Sequence, residues 1–300
     1  MPPSPETGPA DTGVIHDIGY RGYTGPRLGR SYATRSLFVQ SLRAAYGLGR
    51  SAKSKVLPML VLGAVTAPAA LLVAIAVMQQ ADDLPTDYPS YLGTLDLVVS
   101  IFLAAQAPVL LSRDLRHQTV PLYFSRPITR ADYVRAKFAA MVCAQLLLMT
   151  APLLVLYAGA LLGGMSFGHQ TAHFLYGLLT AVLYALVPTS VALVIAAATP
   201  RRGFGVAAIM GWLAVSGVVV AIVVGISAGP ASSIPDSAQW VALLSPNVLV
   251  ESLANQLFDI GAAADRMHAP GALGATVFAA VAAAMVAGSY ALLLRRYRGI

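Results

Sequence analysis

The chain has 300 residues and a net charge of +7, and it is 57% hydrophobic and only 11% charged. A soluble domain carries about 25% charged residues, so this composition excludes an ordinary water-soluble globule and fits a chain whose solvent is mostly lipid. The single cysteine, Cys143, excludes an internal disulfide framework and a cysteine-based metal centre.

Residues 1–28 are rich in Pro, Gly and Thr and lack an apolar run, which predicts a mobile cytoplasmic tail rather than a signal peptide. Residues 29–55 place Leu37, Phe38, Leu42, Ala45 and Tyr46 at helical spacing among Arg35, Arg43, Arg50, Lys53 and Lys55. A basic helix with an apolar stripe predicts an element lying on the inner membrane surface. Six apolar segments follow, at 56–78, 92–111, 138–164, 174–198, 203–228 and 270–294. Each is near the roughly 20 residues that cross about 30 Å of hydrocarbon. Five of the six contain no charged residue. Buried helices of soluble proteins are rarely apolar all round for so long. The fold class this predicts is an all-α integral membrane protein with six transmembrane helices.

Orientation follows from Lys and Arg. Nineteen of the twenty fall in the tail and first helix, in the stretch 112–137, in the Arg201–Arg202 turn and at the C-terminus; only Arg266 lies elsewhere. The loop between the first two spans carries Asp82, Asp83 and Asp87 instead. This asymmetry predicts that both termini are cytoplasmic. It also explains the positive charge without nucleic acid, as a topology signal and a contact with lipid headgroups. The long segment 229–269 is partly apolar, which predicts one or two short helices dipping into the outer leaflet, divided at Pro246.

Few residues could carry chemistry. Gly47 to Ser54 is similar to a phosphate-binding loop, but Ala52 replaces its second glycine and no strand precedes it, so no nucleotide site is expected in this chain. His169 and His173 are one helical turn apart, yet two imidazoles fall short of the three or four ligands a metal needs. Asp96 is the only charged residue inside an expected span, five residues from its outer end, and is the candidate pathway residue. Gly159, Gly163, Ser190, Ser216 and Gly217 fit helix packing. No catalytic arrangement is expected, so the chain is read as non-catalytic.

The stretch from Ser112 to Lys137 is the most informative. It reads SRDLRHQTVPLYFSRPITRADYVRAK and is a charged island between two spans. Thr129 and Asp132 have capping-box spacing at the start of a helix, and Pro127 separates that helix from an amphipathic piece over 113–124. With the preceding and following spans, it closely resembles the permease subunits of ABC-2-type exporters. Those subunits carry a pattern matched here by Ser125, Arg126, Pro127, Ile128, Thr129, Arg130, Tyr133, Ala136 and Lys137. The resemblance implies a bacterial inner-membrane permease that works as a dimer, with itself or a similar chain. It implies docking on separate ATP-binding cassette subunits that hold ATP and Mg, with no cofactor in this chain. Carried over, Arg113, Asp114, Arg116, His117 and Gln118 lie at or near the docking contact. Arg126, Arg130 and Asp132 fix the turn into the third span, and residues 30–50 correspond to the family's interfacial connecting helix. The long tail before Gly29 departs from the family pattern. The apolar spans suit a hydrophobic or amphipathic cargo. The alternatives are a non-transporting scaffold or sensor subunit, or an ion-coupled carrier. The absence of an obvious internal repeat weighs against the last.

Overall fold

A computed structural model describes residues 22, 24–25, 28–117, 119–124, 128–227, 234–258 and 267–299. They form helices and connecting turns, with no strand among the described residues. Six helices are long and apolar enough to cross a membrane. In chain order, α1 spans Arg30–Ala45 and α2 spans Ala52–Met78. The second apolar segment is divided between α3 (Tyr88–Thr94) and α4 (Asp96–Leu110), and the charged stretch after it opens with α5 (Ser112–Arg116). A short α6 (Val120–Phe124) leads to α7 (Arg130–Leu162) and α8 (Phe167–Ala198). Then come α9 (Arg202–Ser227), a one-turn α10 (Asp236–Gln239), a 3₁₀ turn over Trp240–Leu244, α11 (Pro246–Phe258) and α12 (Gly271–Arg298).

Several helices begin or end where side chains demand it rather than where hydropathy changes. The helix expected over 29–55 is cut in two. Gly47 sits at φ +68°, the Leu48 N–H donates to Arg43 O at 2.8 Å, and the Gly47 N–H donates to Ala44 O at 3.1 Å. This is the paired-bond ending that a left-handed glycine permits. A Cβ on Gly47 would overlap Ser54 O, so the chain folds back tightly there. Lys53 and Lys55 therefore belong to α2. The second segment is broken at Leu95, placing Asp96 in the first turn of α4. The third helix starts at the expected cap: the Asp132 N–H donates to Thr129 Oγ1 at 3.3 Å and the Thr129 N–H to Asp132 Oδ2 at 3.1 Å. Its start carries Asp132, Arg135 and Lys137 before the apolar run. The fourth begins at Phe167, so His169 and His173 lie within α8.

Among the six membrane-capable segments of the described residues, the run of α4 with α5, Asp96–Arg116, is the most buried and α9 the least. Helix α4 packs against α1, α2, α7, α8 and α9. Its interior face is crowded with Phe102, Leu103, Ala104 and Ala107. The apolar stripe of α1 is spent on α7 and α4 rather than turned outward: Leu37, Ser41 and Ala45 are buried. Tyr46 donates its hydroxyl to Ala144 O at 2.8 Å and sets its ring 5.6 Å from Phe102. Tyr32 and Val39 remain exposed on the other side of α1.

Helices α2 and α7 approach most closely at two glycines. A Cβ on Gly159 would overlap the Val73 side chain, and one on Gly163 would lie 2.8 Å from Val77 Cγ2. Small residues four apart let backbones meet where lipid offers no hydrophobic drive. Segment 246–258 lies inside the bundle as α11, packed on α8, α12 and α3, with Pro246 at its first position.

Candidate functional site

The bundle has a basic end. It gathers Arg30, Arg50, the start of α7, the α8–α9 turn and the end of α12 around α5 and α6. Helix α5 is a direct continuation of α4, one residue apart. Its residues divide sharply by direction. Arg113, Arg116 and His117 face solvent. Asp114 turns inward: Lys137 Nζ lies 2.8 Å from its Oδ2, and Tyr133 donates its hydroxyl to the same oxygen at 2.9 Å. Asp114 is thus a tie to α7 and presents little of its carboxylate outward. The reason is the buried Lys137, which needs a counter-charge within reach.

Other bonds fasten the same end. Ser112 donates its hydroxyl to Ala196 O at 2.8 Å, and Arg296 Nε–H donates to Ala197 O at 2.6 Å. These two carbonyls end α8, so α5 and α12 satisfy acceptors that the helix itself leaves open. The Tyr133 ring packs against Tyr297 at 5.1 Å, Tyr123 at 5.5 Å and Phe124 at 6.2 Å. Arg130 places its guanidinium 5.5 Å over Phe124. Asp132 is buried and takes Arg30 Nε at 2.5 Å and Nη2 at 3.0 Å, which pins the start of α1 to the start of α7. Gln118 and Arg126, also expected here, lie outside the described residues. Helix α5 is therefore joined, through side chains, to α7 and α8 at once.

The opposite end is different in chemistry. The rings of His169 and His173 lie 4.1 Å apart, tilted by 34°, and each meets an acid of the α2–α3 loop: Asp83 at 3.6 Å and Asp87 at 3.3 Å. Gln170 is held between Asp83 and the Tyr88 hydroxyl. No group of three or more metal-competent side chains occurs among the described residues. Asp96 lies within the bundle toward this end. Asn247 donates to its Oδ1 at 2.5 Å and to Ser100 Oγ at 3.1 Å, and Glu251 stands one turn of α11 away beside Gly93. Sequence reading found Asp96 but not Asn247 or Glu251, because 151 positions separate the two partners and nothing local marks them.

The Gly47–Ser54 turn is not a phosphate cradle. Helix α1 precedes it where a strand would be needed, and Ser54 gives its hydroxyl to Ser51 O at 2.7 Å.

A helical bundle with six membrane-capable helices among its described residues places the chain in the class of multi-pass membrane proteins. Residues 51–215 match the family described as ABC-2 family transporter protein, and the chain belongs to that family. It is a permease subunit of an ABC transporter. No curated protein matches the chain.

Proposed function

We propose that this permease is a non-catalytic exporter subunit of a bacterial plasma membrane, driven by separate ATP-binding cassette subunits that dock on α5 and α6. The observation that carries the reading is the double character of α5. Its outward side offers Arg113, Arg116 and His117, while its inward side is bonded to α7 and α8 through Asp114 and Ser112. A surface that both projects and is fastened to several spans can pass a rigid-body displacement into the bundle. ATP and Mg reside in the partner, the working unit holds two permease chains, and the apolar spans suit a hydrophobic or amphipathic cargo.

The test is co-purification of the ATPase subunit with the permease carrying Arg113→Glu and Arg116→Glu, alongside ATP-dependent efflux from inverted vesicles. Loss of both, with the permease still monodisperse, supports docking through α5. Retained co-purification and efflux would defeat it.

A further inference from the structure

A second feature of the basic end is not explained by docking. A cleft of about 210 Å³ lies between the start of α2, the α4–α5 junction and the α8–α9 turn, lined by Arg50, Val109, Ser112, Arg113, Arg116, His117, Pro200 and Arg202. Four guanidiniums converge on it. Among the described residues none of the four forms an ion pair. Asp114, the acid whose charge is felt at Arg50, is already held by Lys137 and Tyr133. Arg50 is half-buried, and its guanidinium is held below the usual arginine value by burial first and then by Arg113 and Arg202. Gathering cations in a partly dry recess costs free energy unless an anion joins them. A second depression shares Arg116, Pro200 and Arg202 and adds Arg201, extending the positive surface without a carboxylate.

We propose that this cleft binds the phosphate of an anionic phospholipid headgroup. Planar guanidiniums take phosphate oxygens in pairs, and basic recesses between spans are suited to such headgroups. The position favours a lipid over an acidic side chain of a partner protein. Arg50 stands just before α2 and Arg202 begins α9, at the ends of two membrane-capable helices. Val109 reaches the cleft from inside α4. Phe204 and Val56, 68% and 60% exposed, continue from the two arginines along the outer faces of α9 and α2, where acyl chains would lie. The cleft shares Arg113, Arg116 and His117 with the outward side of α5, and the lipid reading is tested through Arg50 and Arg202, which docking does not use.

The experiment uses the full chain in phosphatidylcholine nanodiscs and fluorescent phosphatidylglycerol, with binding read by anisotropy. Arg50→Gln/Arg202→Gln weakens binding by about tenfold, while Arg295→Gln/Arg298→Gln, at the same end but outside the cleft, changes it by less than about twofold. Equal weakening in both pairs, or none in the first, overturns the proposal. Displacement by inorganic phosphate as effective as by the lipid assigns the site to free phosphate and overturns the lipid. Intact lipid binding with loss of the ATPase subunit assigns it to a partner's acids. A readout free of variants is photo-crosslinking of a headgroup-labelled phosphatidylglycerol to the unaltered protein. Adducts within 50–57, 109–117 or 200–204 support the cleft; adducts confined elsewhere overturn it.

Discussion

Lys137 and Asp114 meet at 2.8 Å, Nζ to Oδ2, in a pair whose side chains are 8% and 14% exposed. The bond joins α5 to the first turns of α7 across 23 positions of sequence that include the capping box. Removing one partner leaves a buried charge unpaired. Lys137→Met or Asp114→Asn alone therefore destabilises by about 3–5 kcal/mol, whereas the double change Asp114→Asn/Lys137→Met restores much of the loss. Thermal unfolding of the four proteins in detergent checks this, and additive losses would contradict it.

The α2–α7 contact predicts a position-specific glycine effect. Gly159→Ala puts a methyl into Val73 and costs about 1–3 kcal/mol by overpacking. Gly217→Ala, on α9 with nothing within 4 Å of an added Cβ, leaves stability unchanged or slightly raised. The shift in midpoint temperature separates the two.

The cap of α7 makes a milder prediction. Thr129→Ala removes the acceptor of the Asp132 N–H and the partner of Arg30 Nη2, and costs about 1 kcal/mol. Thr129→Ser keeps the oxygen and most of the stability, read by the same unfolding assay.

Within the bundle, Asn247→Leu strips the Asp96 carboxylate of a donor and destabilises by roughly 1–3 kcal/mol. With a partner's ATP as the proposed energy source, Asp96→Asn is expected to leave ATP-dependent efflux in place. An Asp96→Asn protein that folds but no longer transports, with ATPase activity intact, would point to an ion-coupled step instead.

What the sequence revealed followed from periodicity and local chemistry. The six apolar runs exist as helices because a long segment with at most one charge has little alternative in lipid, where backbone groups must be satisfied internally. The Thr129–Asp132 cap was legible because all its atoms lie within four residues. The divided helices were less so. Gly47 ends α1 because of a tight return against Ser54, and Leu95 breaks α3 from α4 inside a run that hydropathy treats as continuous. The inward turn of Asp114 was hidden for the same reason as the Asp96–Asn247 bond: each depends on which helices become neighbours. Arg50 and Arg202 lie 152 positions apart, so their shared cleft could not be seen before the bundle was assembled.

In the proposed orientation the basic end, with α5 exposed on it, faces the cytosol while the His169–Asp83 end faces outward. The direct measurement is labelling with a membrane-impermeant maleimide in a Cys143→Ser background, using His117→Cys at the basic end and Gly168→Cys at the other. The account predicts that His117→Cys labels only in inverted vesicles and Gly168→Cys only in right-side-out ones. Labelling of His117→Cys from the outside of intact cells would contradict it.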